Sequence, residues 1–278
     1  MKRFLTLLLS VVLSCSLLYP KVIIWDIGGV LLDASSFALG RTIGLSHFFS
    51  YMIFDWKSPK IQPLIFEVLD MMDCPKLPDS VNAFTSDGIP LPPIICHWQA
   101  GTLSGKHIIE QSRRHIRALS NEGFFISYRE EELVQKTIEK MFDPQSLADC
   151  TFPIYAGINL LRQCADEVTP EGNPKNMLIA LSNWDPDSFP LVRNMYPDLF
   201  DNFDFIAISG RTGFIKPRSV AFTHLIQNYN LNPQDCLVID DQKHNLEMAK
   251  KLGFETFHLE RANYGALRRV LRESDALS

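Results

Sequence analysis

Five short apolar runs, each ending in polar side chains and most of them separated by helical patterning, restrict this chain more than any other feature. They are "VIIWD" (22–26), "MLIALSN" (177–183), "FDFIAIS" (203–209), "CLVID" (236–240) and "TFHL" (256–259). Among them lie "AGINLLRQCADE", "AFTHLIQNYN" and "NLEMAKKLG", the last closing on Gly253 as a helix stop. Apolar strands alternating with helices predict a parallel sheet covered on both faces, an α/β, Rossmann-like three-layer core. One interval breaks the rhythm. Residues 34–150 are far too long for a plain connection, carry the helical patterns "KHIIEQSRRHIRAL" and "REEELVQKTIEKMF", and contain a proline-rich break, "DGIPLPP". They are read as an inserted, mostly helical cap domain, with the core formed by 19–33 and 151–278.

The first run passes straight into an acid and two glycines, "KVIIWDIGGVLLD" (21–33). A carboxylate at the end of a buried strand is costly unless a cation or hydrogen bonds meet it. Three other pieces carry matching chemistry. Ser182 and Asn183 end the second run, Lys216 lies in "GRTGFIKPRSVAF", and Asp240 and Asp241 follow "CLVI", with Asn245 four residues beyond. In open α/β sheets ligands bind beyond the carboxyl ends of the strands, so these pieces can converge. An aspartate there can attack phosphorus. Phosphate and carboxylate repel, and Mg²⁺, a hard ion that takes oxygen ligands, suits Asp26, Asp241 and a backbone carbonyl. Ser182 and Asn183 can bind the phosphate oxygens, and Lys216 can neutralise developing charge. Each residue alone has an ordinary alternative: a strand-end cap for Asp26, a turn for Ser182, a solvated lysine, a helix N-cap for Asp240–Asp241. Together they favour a site.

In that order the motifs "WDIGGVLLD", "ALSN", "IKP" and "LVIDDQKHN" resemble the haloacid dehalogenase (HAD) superfamily with a helical cap inserted after the first strand. The resemblance spans about residues 21–260. It implies Asp26 as nucleophile and metal ligand, Gly28 lending its backbone carbonyl to Mg²⁺, Ser182 and Lys216 on phosphate, and Asp241 on the metal, with Asp240 and Asn245 in support. Most phosphatases of this superfamily carry an acid two residues after the nucleophile, where this chain has Gly28. Losing a general acid/base commonly costs ~10²–10⁴ in rate. The loop nevertheless resembles D-x-G-[GN]-V members that include bacterial sugar-phosphate phosphatases. Asp33 and Asp185 are the candidates to replace the missing group. The expected activity is Mg²⁺-dependent hydrolysis of a small phosphomonoester through an aspartyl phosphate. The alternatives are a weak or inactive phosphate-binding protein and, behind it, a haloacid dehalogenase-type hydrolase, which the acidic pair disfavours.

Composition bounds the remaining classes. A net charge of −5 gives no basic field for nucleic acid. The start, "MKRFLTLLLSVVLSCSLLYP", has the basic-then-apolar layout of a signal peptide over residues 1–18 and is short for a stable membrane span. Export to the periplasm or medium is expected, with a retained leader in a cytoplasmic or membrane-tethered protein as the alternative. The six cysteines show no C-x-x-C or zinc spacing, and buried thiols are the expected fate of most. His97, His107 and His115 read as surface or packing residues, Trp25 as core, and Trp98 as packing within the cap rather than facing substrate.

Overall fold

The computed structural model describes residues 21–34, 61–77, 82–85 and 87–278. The leader expected over 1–18, and the export it implies, lie outside the described residues, as does the segment 35–60.

The five apolar runs form one sheet of strands β1 (Lys21–Trp25), β4 (Asn176–Ser182), β5 (Phe205–Ile208), β6 (Cys236–Asp240) and β7 (Glu255–His258). Its order is β5-β4-β1-β6-β7 and every pairing is parallel. β1 is central, which explains its unbroken apolar sequence: successive side chains enter opposite faces, and both faces are covered. Ile23 and Trp25 pack with Leu160, Phe189 and Leu267, whereas Val22 and Ile24 pack with Phe222, Leu225 and Ala249. Flanking helices α6 (Tyr155–Asp166), α7 (Phe189–Met195) and α10 (Tyr264–Glu273) supply the first layer. Helices α8 (Ser219–Tyr229) and α9 (Lys243–Lys251) supply the second.

After β1 the chain turns through Gly28 and Gly29 and enters a short strand, β2 (Leu32–Ala34). β2 pairs antiparallel with β3 (Thr151–Pro153), Asp33 opposite Phe152, so this ribbon joins the points where the chain departs and returns. Between them lie α1 (Ile61–Asp70), α2 (Pro93–Gln99), α3 (Gly105–Asn121), α4 (Tyr128–Met141) and α5 (Pro144–Cys150). Their starts follow local chemistry. Ser104 accepts from the N–H of His107, Ser127 from Glu130, and Asp143 from Ser146. Proline begins both α2 and α5, where a missing N–H costs nothing. The helices bury a cluster of their own around Val68, Ile95, Ile108, Ile116, Ile138 and Phe142. The break "DGIPLPP" forms a small turn, Thr85 accepting from Gly88 and donating its N–H to Ile89, before α2 begins.

Trp25 is fully buried, and His97 is a packing residue whose ring nitrogens meet Thr102 Oγ1 at 2.8 Å and the Pro75 carbonyl at 2.9 Å. Cys96, Cys150, Cys164 and Cys236 are buried free thiols and Cys74 is half-buried. No described helix is long and apolar enough to cross a membrane.

Candidate active site

Asp26 follows β1 directly, and its backbone N–H still bonds the neighbouring strand, donating to Ile239 O at 2.9 Å. The chain then turns sharply. The N–H of Ile27 closes on Asp26 Oδ1 at 2.7 Å, and Gly29 adopts φ +70°. Glycine is required at position 29 on two grounds: the left-handed backbone, and a Cβ there would overlap the Asp241 carboxylate. Position 28 is different. A Cβ built on Gly28 meets nothing within 4 Å, so its lack of a side chain leaves space rather than relieving a clash.

Lys216 is the electrostatic centre, with only 2% of its surface exposed. Its ammonium lies 3.0 Å from Asp26 Oδ1 and donates to Asp240 Oδ2 at 2.7 Å and to the Leu181 carbonyl at 2.9 Å. Those contacts use all its protons, so a phosphate oxygen gains Lys216 only by replacing one of them. Burial alone disfavours the charged ammonium, but Asp240 and Asp26 outweigh it and hold its pKa above the ordinary value.

The carboxylates divide into two kinds. Asp240 is satisfied: besides Lys216 it accepts from the Gln242 N–H at 2.8 Å and from Asn245 Nδ2 at 3.0 Å. Asp241 is not. Its Oδ1 is enclosed without a hydrogen-bond partner among the described residues, and burial, with Asp26 and Asp240 nearby, pushes its pKa up to about 7. Burial likewise raises Asp26 to about 6 against the opposing pull of Lys216, while the Ser182 hydroxyl hydrogen-bonds its carboxylate. Ligand oxygens of Asp26, Asp240 and Asp241 lie within 4.8 Å of one another. Three acids facing one ammonium leave an excess of negative charge that a hard divalent cation fits, and the orphaned Asp241 oxygen offers it a ligand.

The expected site residues therefore converge, with adjusted parts. Asn183 is an expected phosphate-binding residue. Its carboxamide also clamps the Lys216 backbone, Oδ1 accepting from the Lys216 N–H at 2.8 Å and Nδ2 donating to the Lys216 carbonyl at 2.9 Å. One N–H of that carboxamide is not used by this clamp, and Asn183 lines both cavities described below. Asp185 does not suit proton transfer: its oxygens accept from the N–H groups of Asp187 and Ser188 and from the Ser188 hydroxyl, fixing the turn into α7. Asp33 retains an oxygen that is free among the described residues, since only its Oδ1 is engaged there, by the Ala34 N–H at 2.7 Å.

Two adjoining cavities meet at this point. The first, about 220 Å³, is lined by Asp26, Ser182, Lys216, Asp241 and Asn245. The second, about 250 Å³, is lined by Leu32, Trp98, Leu147, Thr151 and Trp184. Gly28, Gly29, Asp33, Gln99 and Asn183 border both. Trp98 packs edge-on against Phe142, centroids 4.9 Å apart, as expected of a cap packing residue, yet also walls the second cavity. The sequence reading missed Gln99 and Trp184. Neither titrates in the relevant range nor stands in a motif, and Gln99 reaches the site only because α2 docks on the core.

Comparison with known proteins agrees with this architecture. A crystal structure of a HAD family enzyme from Bacteroides thetaiotaomicron superposes with a TM-score of 0.55 at 17% identity, over 90% of this chain and 98% of that one. A predicted HAD-like family hydrolase from Porphyromonas gingivalis gives 0.53 at 20% identity, over 91% and 98%. Bifunctional epoxide hydrolase 2 of Rattus norvegicus is 30% identical over 94 residues, 33% of this chain but only 17% of the rat protein. The haloacid dehalogenase-like hydrolase family itself matches residues 20–253, and the chain belongs to that family of hydrolases.

Proposed function

We propose that this hydrolase is a Mg²⁺-dependent phosphomonoesterase that works through a covalent intermediate on Asp26. The observation that carries the reading is the pairing of a buried, lysine-held carboxylate at a strand end with the unpartnered oxygen of Asp241 in one cavity. Asp26, Asp241 and the Gly28 carbonyl would hold the cation, which supplies positive charge against phosphate oxygens when bound. A magnesium and inorganic phosphate complex of a mutant of the Bacteroides enzyme contains both groups this reading requires.

Asp26 attacks phosphorus as the ester P–O bond breaks, and the leaving oxygen departs with the bond electrons. Water then attacks phosphorus, releasing inorganic phosphate and restoring the carboxylate. Lys216 fixes the attacking oxygen and balances charge, Asp240 and Asn183 fix Lys216, and the Ser182 hydroxyl shares the pocket. The insertion over 34–150 serves as the cap in this reading. Gly28 cannot move a proton, so leaving groups that carry negative charge easily, such as phenols, acyl groups and anomeric hydroxyls, react faster than simple alkoxides.

A panel of phosphomonoesters assayed for phosphate release with and without Mg²⁺ tests the proposal. Release that requires Mg²⁺ is expected, and release from none of the panel rejects it. A second reading, phosphate binding without turnover, rests on Gly28, and phosphate binding by a protein inert on the whole panel would favour it. Export, proposed from the leader, is checked by N-terminal sequencing of the protein from its native cell: an intact Met1 on soluble cytoplasmic protein rules out cleavage.

A further inference from the structure

The wall between the two cavities contains a polar group that nothing among the described residues satisfies. Gln99 is the last residue of α2, and its side-chain Oε1 is enclosed without a hydrogen-bond partner. Leaving a buried acceptor unmet costs ~1–3 kcal/mol, a penalty that persists unless the group meets a partner in another state. Its position is also fixed. The Ser209 hydroxyl, on the core just after β5, donates to the Gln99 carbonyl at 2.6 Å. Two residues on, Gly101 lies so close to the Gly210 carbonyl that a Cβ would overlap it. The contact thus fixes the backbone at this end of α2, while Oε1, enclosed and without a partner among the described residues, can meet a ligand once the side chain turns.

Its surroundings narrow the missing partner. Gln99 borders the chamber of Asp26 and Lys216 on one side and the chamber of Trp98 and Trp184 on the other. An ester bound with its phosphorus at Asp26 reaches the second chamber across this boundary. The second chamber, at about 250 Å³, exceeds the ~150 Å³ that admits a benzene ring, and much of its wall is apolar. The Trp184 indole N–H is already used, donating to Ser188 Oγ at 2.9 Å, so that ring offers an apolar face.

We propose that Gln99 is a specificity-determining residue that reads a hydrogen-bond donor on the leaving group, next to the ester oxygen. The substrate class is a compact organic phosphomonoester with a hydroxyl or amine beside the phosphorylated position and an apolar face toward the tryptophans. The inference rests on the phosphomonoesterase reading and adds the feature by which that site selects among esters.

The test compares phenyl phosphate with its 2-hydroxy counterpart, two aryl esters that differ by one donor. The wild-type protein with Mg²⁺ should prefer the 2-hydroxy ester about tenfold in kcat/KM. Gln99→Met, of similar length but without an acceptor, should bring the ratio close to one. Gln99→Glu, which keeps the acceptor, should retain the preference. Equal rates on the two esters in the wild-type protein overturn the proposal without need of any variant. A Gln99→Met protein that slows on both esters by one factor, with the ratio intact, assigns Gln99 a purely structural part and also overturns it. Phosphate release from neither ester, nor from any of the wider panel, instead defeats the phosphomonoesterase reading.

Discussion

The two chambers of the cavity are built by different rules. The inner one is made mostly by the core, strand-end residues Asp26, Ser182 and Asp241 with the loop residue Lys216, and the insertion adds Phe84 and Gln99 to its wall. The outer one is assembled from β2, α2, α5 and the loop after β4, walled largely by tryptophan and leucine, with the polar Gln99 at its boundary unpaired. Charge is held rigidly where bonds would be made and broken, while a more apolar wall, with Gln99 and Asp33 at its edge, faces the part of the substrate that varies. Catalysis and selection can therefore change independently, because few side chains serve both.

The widest break in that comparison would come at Asp26. Asp26→Asn should lower phosphate release by about 10⁴ or more, by the same factor for every ester, with the fold retained as judged by circular dichroism. Activity near the parent level would remove Asp26 from the mechanism, and a loss that varied with the leaving group would mean the chambers are not separate.

Within the inner chamber, the neighbouring acids should part company. Asp241→Asn should weaken Mg²⁺ binding by about 100-fold, because it alters the oxygen without a partner. It should leave the metal-free protein equally or more stable, since it relieves repulsion. Asp240→Asn should do the reverse, costing about 2 kcal/mol or more by leaving Lys216 less well compensated, with a smaller effect on the metal. Metal titrations and thermal melts of the two variants decide, and a larger loss of metal affinity for Asp240→Asn reverses the assignment.

Acidity should move the inner chamber most directly. Burial raises Asp26 to about 6 and Asp241 to about 7. Both must be ionised to hold a cation, so Mg²⁺ affinity should fall roughly tenfold or more from pH 8 to pH 6. Stability of the metal-free protein runs the other way. Folded-state values above the ordinary 3.8 mean that protonation favours the fold, so this contribution is fully present below about pH 4 and is lost as pH rises through 6 to 7. Melting temperatures in a chelator should therefore drop toward pH 8 and recover with Mg²⁺. A metal affinity flat from pH 6 to 8 would contradict the raised values.

The smallest expected effect lies on the boundary. A Cβ at position 28 meets nothing within 4 Å, and Gly28→Asp should speed esters of poor leaving groups several-fold, a small part of the ~10²–10⁴ that a positioned acid/base supplies. Esters of phenols should gain less. Rates at saturation across esters of graded leaving-group acidity measure this. Where phosphoryl transfer limits the parent rate, a flat profile would show that another group, Asp33 being the one with a free oxygen, already donates the proton.

Much of the inner chamber was legible in the sequence. The runs ending at Asp26, Ser182 and Asp240 became parallel strands in one sheet, because apolar β-branched stretches buried on both faces have few other solutions. Parallel strands place their carboxyl ends together, so the acids that follow them were bound to meet. The division between Asp240 and Asp241 was implied only by the family resemblance and not by the residues themselves, since neighbouring identical side chains differ only in what surrounds them. Tertiary structure decided it, giving Asp240 to Lys216 and Asn245 and leaving an Asp241 oxygen alone. It also decided the outer chamber. Trp98, Gln99, Leu147 and Trp184 lie on separate elements with no shared spacing, and only the docking of α2 on Ser209 and Gly210 brings Gln99 to the boundary. Local patterning specifies which residues end a strand, whereas a wall made from several elements exists only once those elements have packed.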